Sequence, residues 1–150
     1  GEQFVAGLLA HAPALCALTN PLPASYRRLG RSACASGATW SPAVVSWSGN
    51  NRTHMIRVPD RGRIELRLGD GAADPYLLQA AVLAAGLDGI ERKLTPPPAL
   101  HTNTYTDPPA PEQAAALPAD LGAALAAFAA YERRLAVRLG PENVPGEPAG

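Results

Sequence analysis

Apolar residues at helical spacing open the chain. Phe4, Val5, Leu8 and Leu9 recur at the three- and four-residue intervals that make one face of a helix. Pro13 interrupts this helix, and a short second turn runs on to Leu18. Asn20-Pro21-Leu22-Pro23 then stops it, because proline carries no backbone N–H and clashes with the preceding turn. Residues 30–38 (GRSACASGA) are small and polar and read as a flexible loop. Residues 39–48 are rich in Val, Trp, Thr and Ser, which predicts a strand broken by Pro42. Gly49-Asn50-Asn51 is a turn signal. A second strand is predicted over 52–58, a turn over Pro59-Asp60-Arg61-Gly62, and a third strand over 63–68. Two strands around so short a turn form a hairpin.

Asp74-Pro75 predicts a helix start, with Asp74 as the N-cap and proline in the first turn. The helix predicted over 75–93 is apolar nearly all round as far as Asp88, which implies burial on most faces. Glu91, Arg92 and Lys93 mark its solvated end. Residues 95–111 read as a proline-rich surface loop, and 120–139 as an amphipathic, alanine-rich helix. Residues 140–150 hold three prolines and three glycines and are expected to be disordered. The class is α+β: a short antiparallel sheet from 39–48, 52–58 and 63–68, packed against the helix at 75–93. The sequence opens without methionine, inside a helical pattern. The expectation is a fragment, with 1–139 forming a partial domain and 140–150 a tail.

Composition narrows the function classes. The chain has 150 residues with 13 basic and 13 acidic side chains. A neutral balance gives no global field for nucleic acid or an anionic membrane. No apolar run reaches the ~20 residues of a membrane span. Cys16 and Cys34 have neither metal nor redox spacing, so two reduced thiols in a cytoplasmic protein are expected. The first residues lack the basic start of a secretion signal.

Charge is unevenly placed. Lys93 is the only lysine, and five arginines lie between Arg52 and Arg67. A guanidinium binds carboxylate or phosphate with two parallel hydrogen bonds. The sharpest feature is Arg63-Ile64-Glu65-Leu66-Arg67. Strand side chains alternate, so Arg63, Glu65 and Arg67 share one face. Such a face can hold a metal on the carboxylate and anions on the flanking arginines. From alternation alone, a solvated face with ordinary ion pairs is the simpler reading. Arg52 and Arg57 have odd separation, so either Arg52 precedes its strand or a bulge re-aims it. Arg27 and Arg28 could reach an anion or stay in solvent. His11, His54 and His101 lack ligand partners at metal spacing, and His54 reads as a satisfied strand histidine. Ser32, Ser36 and Ser41 sit in no nucleophile-elbow context. Tyr105 reads as a loop anchor, with modification the alternative.

Several segments, in order, resemble the glutamine synthetase family: AGLLAHAPALCALTNP, SYRRL, NRTHMIRVP, RIELRL and DPYLLQAAVLAAGLDGI, together spanning roughly residues 5–94. SGATWSP and GNNRTHMIR are most similar to the subgroup of type III-labelled glutamine synthetases and gamma-glutamylmethylamide synthetases. The resemblance implies the C-terminal portion of that catalytic domain. It implies an ATP-dependent ligase that joins the side-chain carboxylate of glutamate to ammonia or a small primary amine such as methylamine, through a gamma-glutamyl phosphate. Arg28 and Arg67 match contacts to the substrate glutamate. Arg52 matches an arginine that assists phosphoryl transfer, and Arg57 and Arg63 match arginines near the nucleotide phosphates. Glu65 matches a carboxylate ligand of Mg2+ or Mn2+. A ring-shaped homo-oligomer is implied for the intact protein. The agreement between the matched face and the alternation pattern turns the reading of Arg63, Glu65 and Arg67 from solvated face to site. Residues 30–48 hold no acid, whereas ammonia-using members carry a glutamate after the SYRRL-type segment. The alternative is a non-catalytic, glutamine-synthetase-like pseudoenzyme or assembly module.

Overall fold

The computed structural model describes residues 1–29 and 41–139, with side chains up to residue 133. The loop expected at 30–38, with Ser32, Cys34 and Ser36, the first two residues of the strand expected at 39–48, and the tail at 140–150 lie outside the described residues.

Among the described residues, four α-helices and a small sheet make an α+β architecture. Helix α1 spans Glu2–Ala10 and α2 spans Ala12–Thr19, with His11 as the hinge between them and Pro13 in the first turn of α2. A short 3-10 turn, Pro23–Arg27, follows. Strands β1 (Trp47–Ser48), β2 (Ile56–Asp60) and β3 (Arg63–Leu66) form a sheet in the order β1-β2-β3. Helix α3 spans Pro75–Glu91 and α4 spans Leu121–Leu139.

The helix starts follow the local chemistry. The Asp74 carboxylate accepts from the backbone N–H groups of Tyr76 and Leu77, each at 2.9 Å. That satisfies two donors with no partner inside the helix. Asp120 does the same for Ala123 at 2.7 Å, ahead of α4.

The sheet departs from expectation in three ways. Only β2 and β3 pair antiparallel; β1 joins β2 in parallel. The first strand contracts to two residues, preceded by an isolated antiparallel bridge from Val44 to Ala116. The helix at 75–91 does not cover the sheet. It packs chiefly on α1 and less on α2, while α2 packs on α4. As a result α3 is not buried on most faces: Tyr76, Leu77, Leu83, Leu87 and Ile90 are all exposed. The core lies elsewhere, among Val5, Leu8, Leu15, Met55, Ile56 and Leu68.

The contact between α1 and α3 is made by backbone. A Cβ built on Gly7 would lie 2.1 Å from the Ala85 carbonyl oxygen, and one on Gly89 would lie 2.6 Å from the Gly7 Cα. The Phe4 ring fills the space above Gly86. Beside this contact, His11 Nε2 lies 2.7 Å from Asp88 Oδ2, and Arg92 donates to the same oxygen at 3.0 Å. His11, isolated in sequence, therefore has a charged partner from α3.

The proline-rich loop after α3 is strapped across the sheet. The Trp47 indole N–H donates to the Pro97 carbonyl at 2.7 Å, and Asn51 donates to Thr102 at 2.9 Å. His54 is fully buried at this junction. Its Nε2 lies 3.0 Å from the Thr102 carbonyl, which can only accept, so that nitrogen carries the proton. Nδ1 then accepts from the Ser46 hydroxyl at 3.0 Å. Burial holds the His54 pKa below its ordinary value. Below about pH 6.5 the unfolded chain takes up a proton there that the folded chain refuses. Stability should therefore fall as pH drops from 7 toward 5. The urea midpoint of wild type should decline more steeply over that range than that of His54→Gln; parallel curves would remove His54 as the cause.

Cys16 is buried and unpaired, and burial pushes its thiol up to about 12. It is a neutral core side chain with no nucleophilic character at physiological pH.

Candidate functional site

The β2–β3 hairpin positions the charged cluster. Gly62 turns it at φ +78°, where a side chain would strain the backbone. Cross-strand register sets Arg57 opposite Glu65, with an irregularity between Arg57 and Asp60. Arg57 Nη1 donates to Glu65 Oε2 at 2.7 Å, and Arg67 Nη1 donates to Glu65 Oε1 at 2.6 Å. One carboxylate thus joins two guanidinium groups, one oxygen to each. The hydrogen bond from Arg67 is the largest influence holding the Glu65 carboxyl below the usual range. Partial burial opposes it, and the hydrogen bond and charge of Arg57 add to it. Glu65 is ionised at neutral pH and acts only as an acceptor.

Asn50 holds the far side of Arg57. Its side-chain oxygen accepts from both Nε, at 2.9 Å, and Nη2. Arg57 is therefore clamped between an amide and a carboxylate. Sequence reading assigned Asn50 only to a turn.

Arg52 precedes β2, which settles the odd spacing: no bulge is needed to re-aim it. It is exposed and lines a cavity of about 630 Å³ with Arg57, Asn50, Asn51 and His101. His101, read as isolated, shares this cavity wall.

Arg28 reaches the chain just after β3. Its Nη2 donates to the Leu68 carbonyl at 2.8 Å and to the Asn20 side-chain oxygen at 3.1 Å. Leu68 follows Arg67 directly, so the two arginines matched to substrate contacts are tied to neighbouring backbone. Arg28 Nε is buried without a hydrogen-bond partner among the described residues. The Ser41 hydroxyl donates to the Arg28 carbonyl, and the Tyr105 hydroxyl donates to the Ser41 carbonyl. Tyr105 is thus an anchor, as its loop position suggested. Burial raises its pKa, opposed by the charges of Arg67 and Arg28.

The structure therefore brings Arg57, Glu65 and Arg67 into one cluster, places Arg52 in the cavity beside Arg57, and fastens Arg28 beside Arg67. Arg63 stands apart. It is exposed at the start of β3, and among the described residues it enters no ion pair. Alternation puts it on the right face, but the end of a twisted strand leaves it in solvent.

Chemically, the cluster offers two fixed guanidinium groups around one carboxylate, which suits phosphate and carboxylate ligands. A divalent cation needs several oxygen ligands. Among the described residues no group of three His, Cys, Asp or Glu side chains comes together, and both Glu65 oxygens are engaged by arginine. These residues alone do not fit a cation. No helix is long and apolar enough to cross a membrane among the described residues.

Comparison with known proteins matches the same segments. Residues 1–144 match the family described as glutamine synthetase, catalytic domain. The chain is 51% identical over 132 residues to a glutamine synthetase of Rhizobium leguminosarum bv. phaseoli, covering 88% of this chain and 30% of that protein. It is 50% identical over 103 residues to a glutamate–methylamine ligase of Methyloversatilis universalis, covering 69% of this chain and 23% of that protein. Among solved structures, GmaS in complex with ADP is 48% identical with a TM-score of 0.77, covering 93% of this chain and 32% of that one. The chain thus spans less than a third of the length of these relatives.

Proposed function

Because this chain belongs to the glutamine synthetase family, we propose that it supplies the arginine side of an ATP-dependent ligase site joining glutamate to an amine. The observation that carries the reading is the Arg57–Glu65–Arg67 cluster beside the cavity that holds Arg52.

ATP phosphorylates the side-chain carboxylate of glutamate, and ammonia or a small primary amine then displaces phosphate to form the amide. The first step brings two anions together. Fixed cations at the point of approach lower that repulsion in the transition state. Arg28 and Arg67 bind glutamate carboxylates. Arg57 faces the nucleotide phosphates, Arg63 would have to reach them from the exposed start of β3, and Arg52 stabilises the charge that develops on phosphoryl transfer. The clamping of Arg57 by Asn50 and Glu65 supports this, because a pre-oriented guanidinium needs no reorganisation during reaction.

Glu65 is proposed as one ligand of a Mg2+ or Mn2+ ion whose other ligands lie outside the described residues. When bound, such a cation would neutralise phosphate charge. The intact protein is proposed to be a cytoplasmic homo-oligomer of ring form, in which the exposed apolar residues of α3 find cover. A second reading, a non-catalytic pseudoenzyme or assembly module, is favoured for the isolated chain by the single site carboxylate among the described residues.

The full-length protein that carries this chain tests the assignment. With glutamate and ATP it should release phosphate only when ammonia or methylamine is added, and form the corresponding amide. Residues 1–150 alone should give none. Phosphate release that ignores glutamate, or turnover by the isolated chain, would contradict the reading. The ratio of rates with the two amines identifies the nitrogen donor.

A further inference from the structure

Asn20 is wholly buried, as is its neighbour Thr19. A fully buried side-chain amide must have its hydrogen bonds satisfied or it destabilises the fold. Here they form a directed relay. The Thr19 hydroxyl donates to the Leu15 carbonyl at 2.9 Å, inside α2. Thr19 Oγ1 in turn accepts from Asn20 Nδ2 at 2.9 Å. This fixes which end of the amide is oxygen. Asn20 Oδ1 is left facing the turn, where it accepts from Arg28 Nη2 at 3.1 Å. The same nitrogen donates to the Leu68 carbonyl at 2.8 Å.

We propose that Asn20, oriented by Thr19, is a positioning residue that aims the Arg28 guanidinium at the carboxylate of the substrate. The inference rests on the reading of Arg28 as a glutamate contact and extends it. Arginine has many rotamers, and holding one of them is costly in conformational entropy. Two acceptors on a single terminal nitrogen fix the plane of the group. One comes from the C-terminus of α2 and one from the chain after β3. Arg28 Nε is buried and has no hydrogen-bond partner among the described residues. The neutral amide matters. An aspartate at this position would hold Arg28 equally well but cancel the charge that attracts substrate.

The test uses the full-length protein that carries this chain. Asn20→Ala should raise the KM for glutamate roughly tenfold, the usual weight of a hydrogen bond to a charged group. The KM for ATP should stay within about twofold, since uninvolved contacts are untouched. Asn20→Asp should raise the glutamate KM at least as much, although it keeps the acceptor. Thr19→Val conserves volume and removes only the orienting hydroxyl; it should raise the same KM by a few fold. It also serves if Asn20→Ala does not fold. A merely structural role would lower the active fraction without moving either KM. An unchanged glutamate KM in Thr19→Val and in a folded Asn20 variant overturns the proposal. Arg28→Ala separates the two levels: if its glutamate KM is also normal, the assignment of Arg28 fails, and not only the role of Asn20.

Discussion

Glu65→Ala is expected to reduce turnover of the intact protein by at least ~10²-fold, the effect of losing one preorganised electrostatic contact at a phosphoryl or acyl centre. The expected loss is large because Glu65 has two duties. It is the proposed cation ligand, and it is the acceptor that holds both Arg57 and Arg67. Removing it leaves two guanidinium groups close together without their shared counter-charge. Both should swing away, so the KM values for glutamate and ATP should rise together with the fall in kcat. Glu65→Gln separates charge from shape. It keeps one acceptor oxygen and can satisfy only one of the two arginines. Its rate should lie near that of Glu65→Ala if charge dominates. Steady-state kinetics on both variants decides, and near-normal activity in either removes Glu65 from the site. The linkage to pH has a defined sign. The Glu65 carboxyl is held below its ordinary value by Arg67 and Arg57. Its stabilising contribution is present above the unfolded carboxyl range and is lost as pH falls through the depressed folded value.

Gly89→Ala is expected to destabilise the protein by about 3 kcal/mol or more, at the upper end for overpacking. Helix propensity alone predicts the opposite sign, since alanine is favoured over glycine by about 1 kcal/mol in a helix interior. The geometry decides against propensity. The new Cβ would lie 2.2 Å from the Gln3 carbonyl oxygen and 2.6 Å from the Gly7 Cα. Both obstacles are backbone of α1, so no side chain can rotate out of the way. The two helices must separate. That would open the His11–Asp88 bridge, at 2.7 Å, beside them. Gly71→Ala is the control, because nothing lies within 4 Å of a Cβ there. Urea denaturation should show a clear drop in midpoint for Gly89→Ala and almost none for Gly71→Ala. Equal midpoints would mean that α1 and α3 do not meet backbone to backbone.

Local chemistry made the helices and the hairpin legible. The Asp74-Pro75 start and the proline that splits α1 from α2 act within one turn of chain, so residue identity suffices. The same holds for the turn at Gly62, which the structure places at positive φ. Alternation put Glu65 and Arg67 on one side, which the ion pair between them bears out. The family was legible for a different reason: several short motifs in a fixed order carry more information than any one of them.

What sequence alone determined here is the helices, the presence of the hairpin and which arginines surround one glutamate; the strand expected at 39–48 keeps only Trp47–Ser48, and the one expected at 52–58 runs Ile56–Asp60. Tertiary structure decided the parallel partner of β2, the bare face of α3 and the partners of the arginines. It joined Arg57 to Glu65 and left Arg63 in solvent. It also turned Asn20 from a helix stop into the support of Arg28. Each of these depends on atoms brought together from distant parts of the chain: Asn20 and Leu68 converge on Arg28, and Gly7 meets Gly89. Spacing along the chain records helical and extended repeats, and it carries no measure of which face another element will cover.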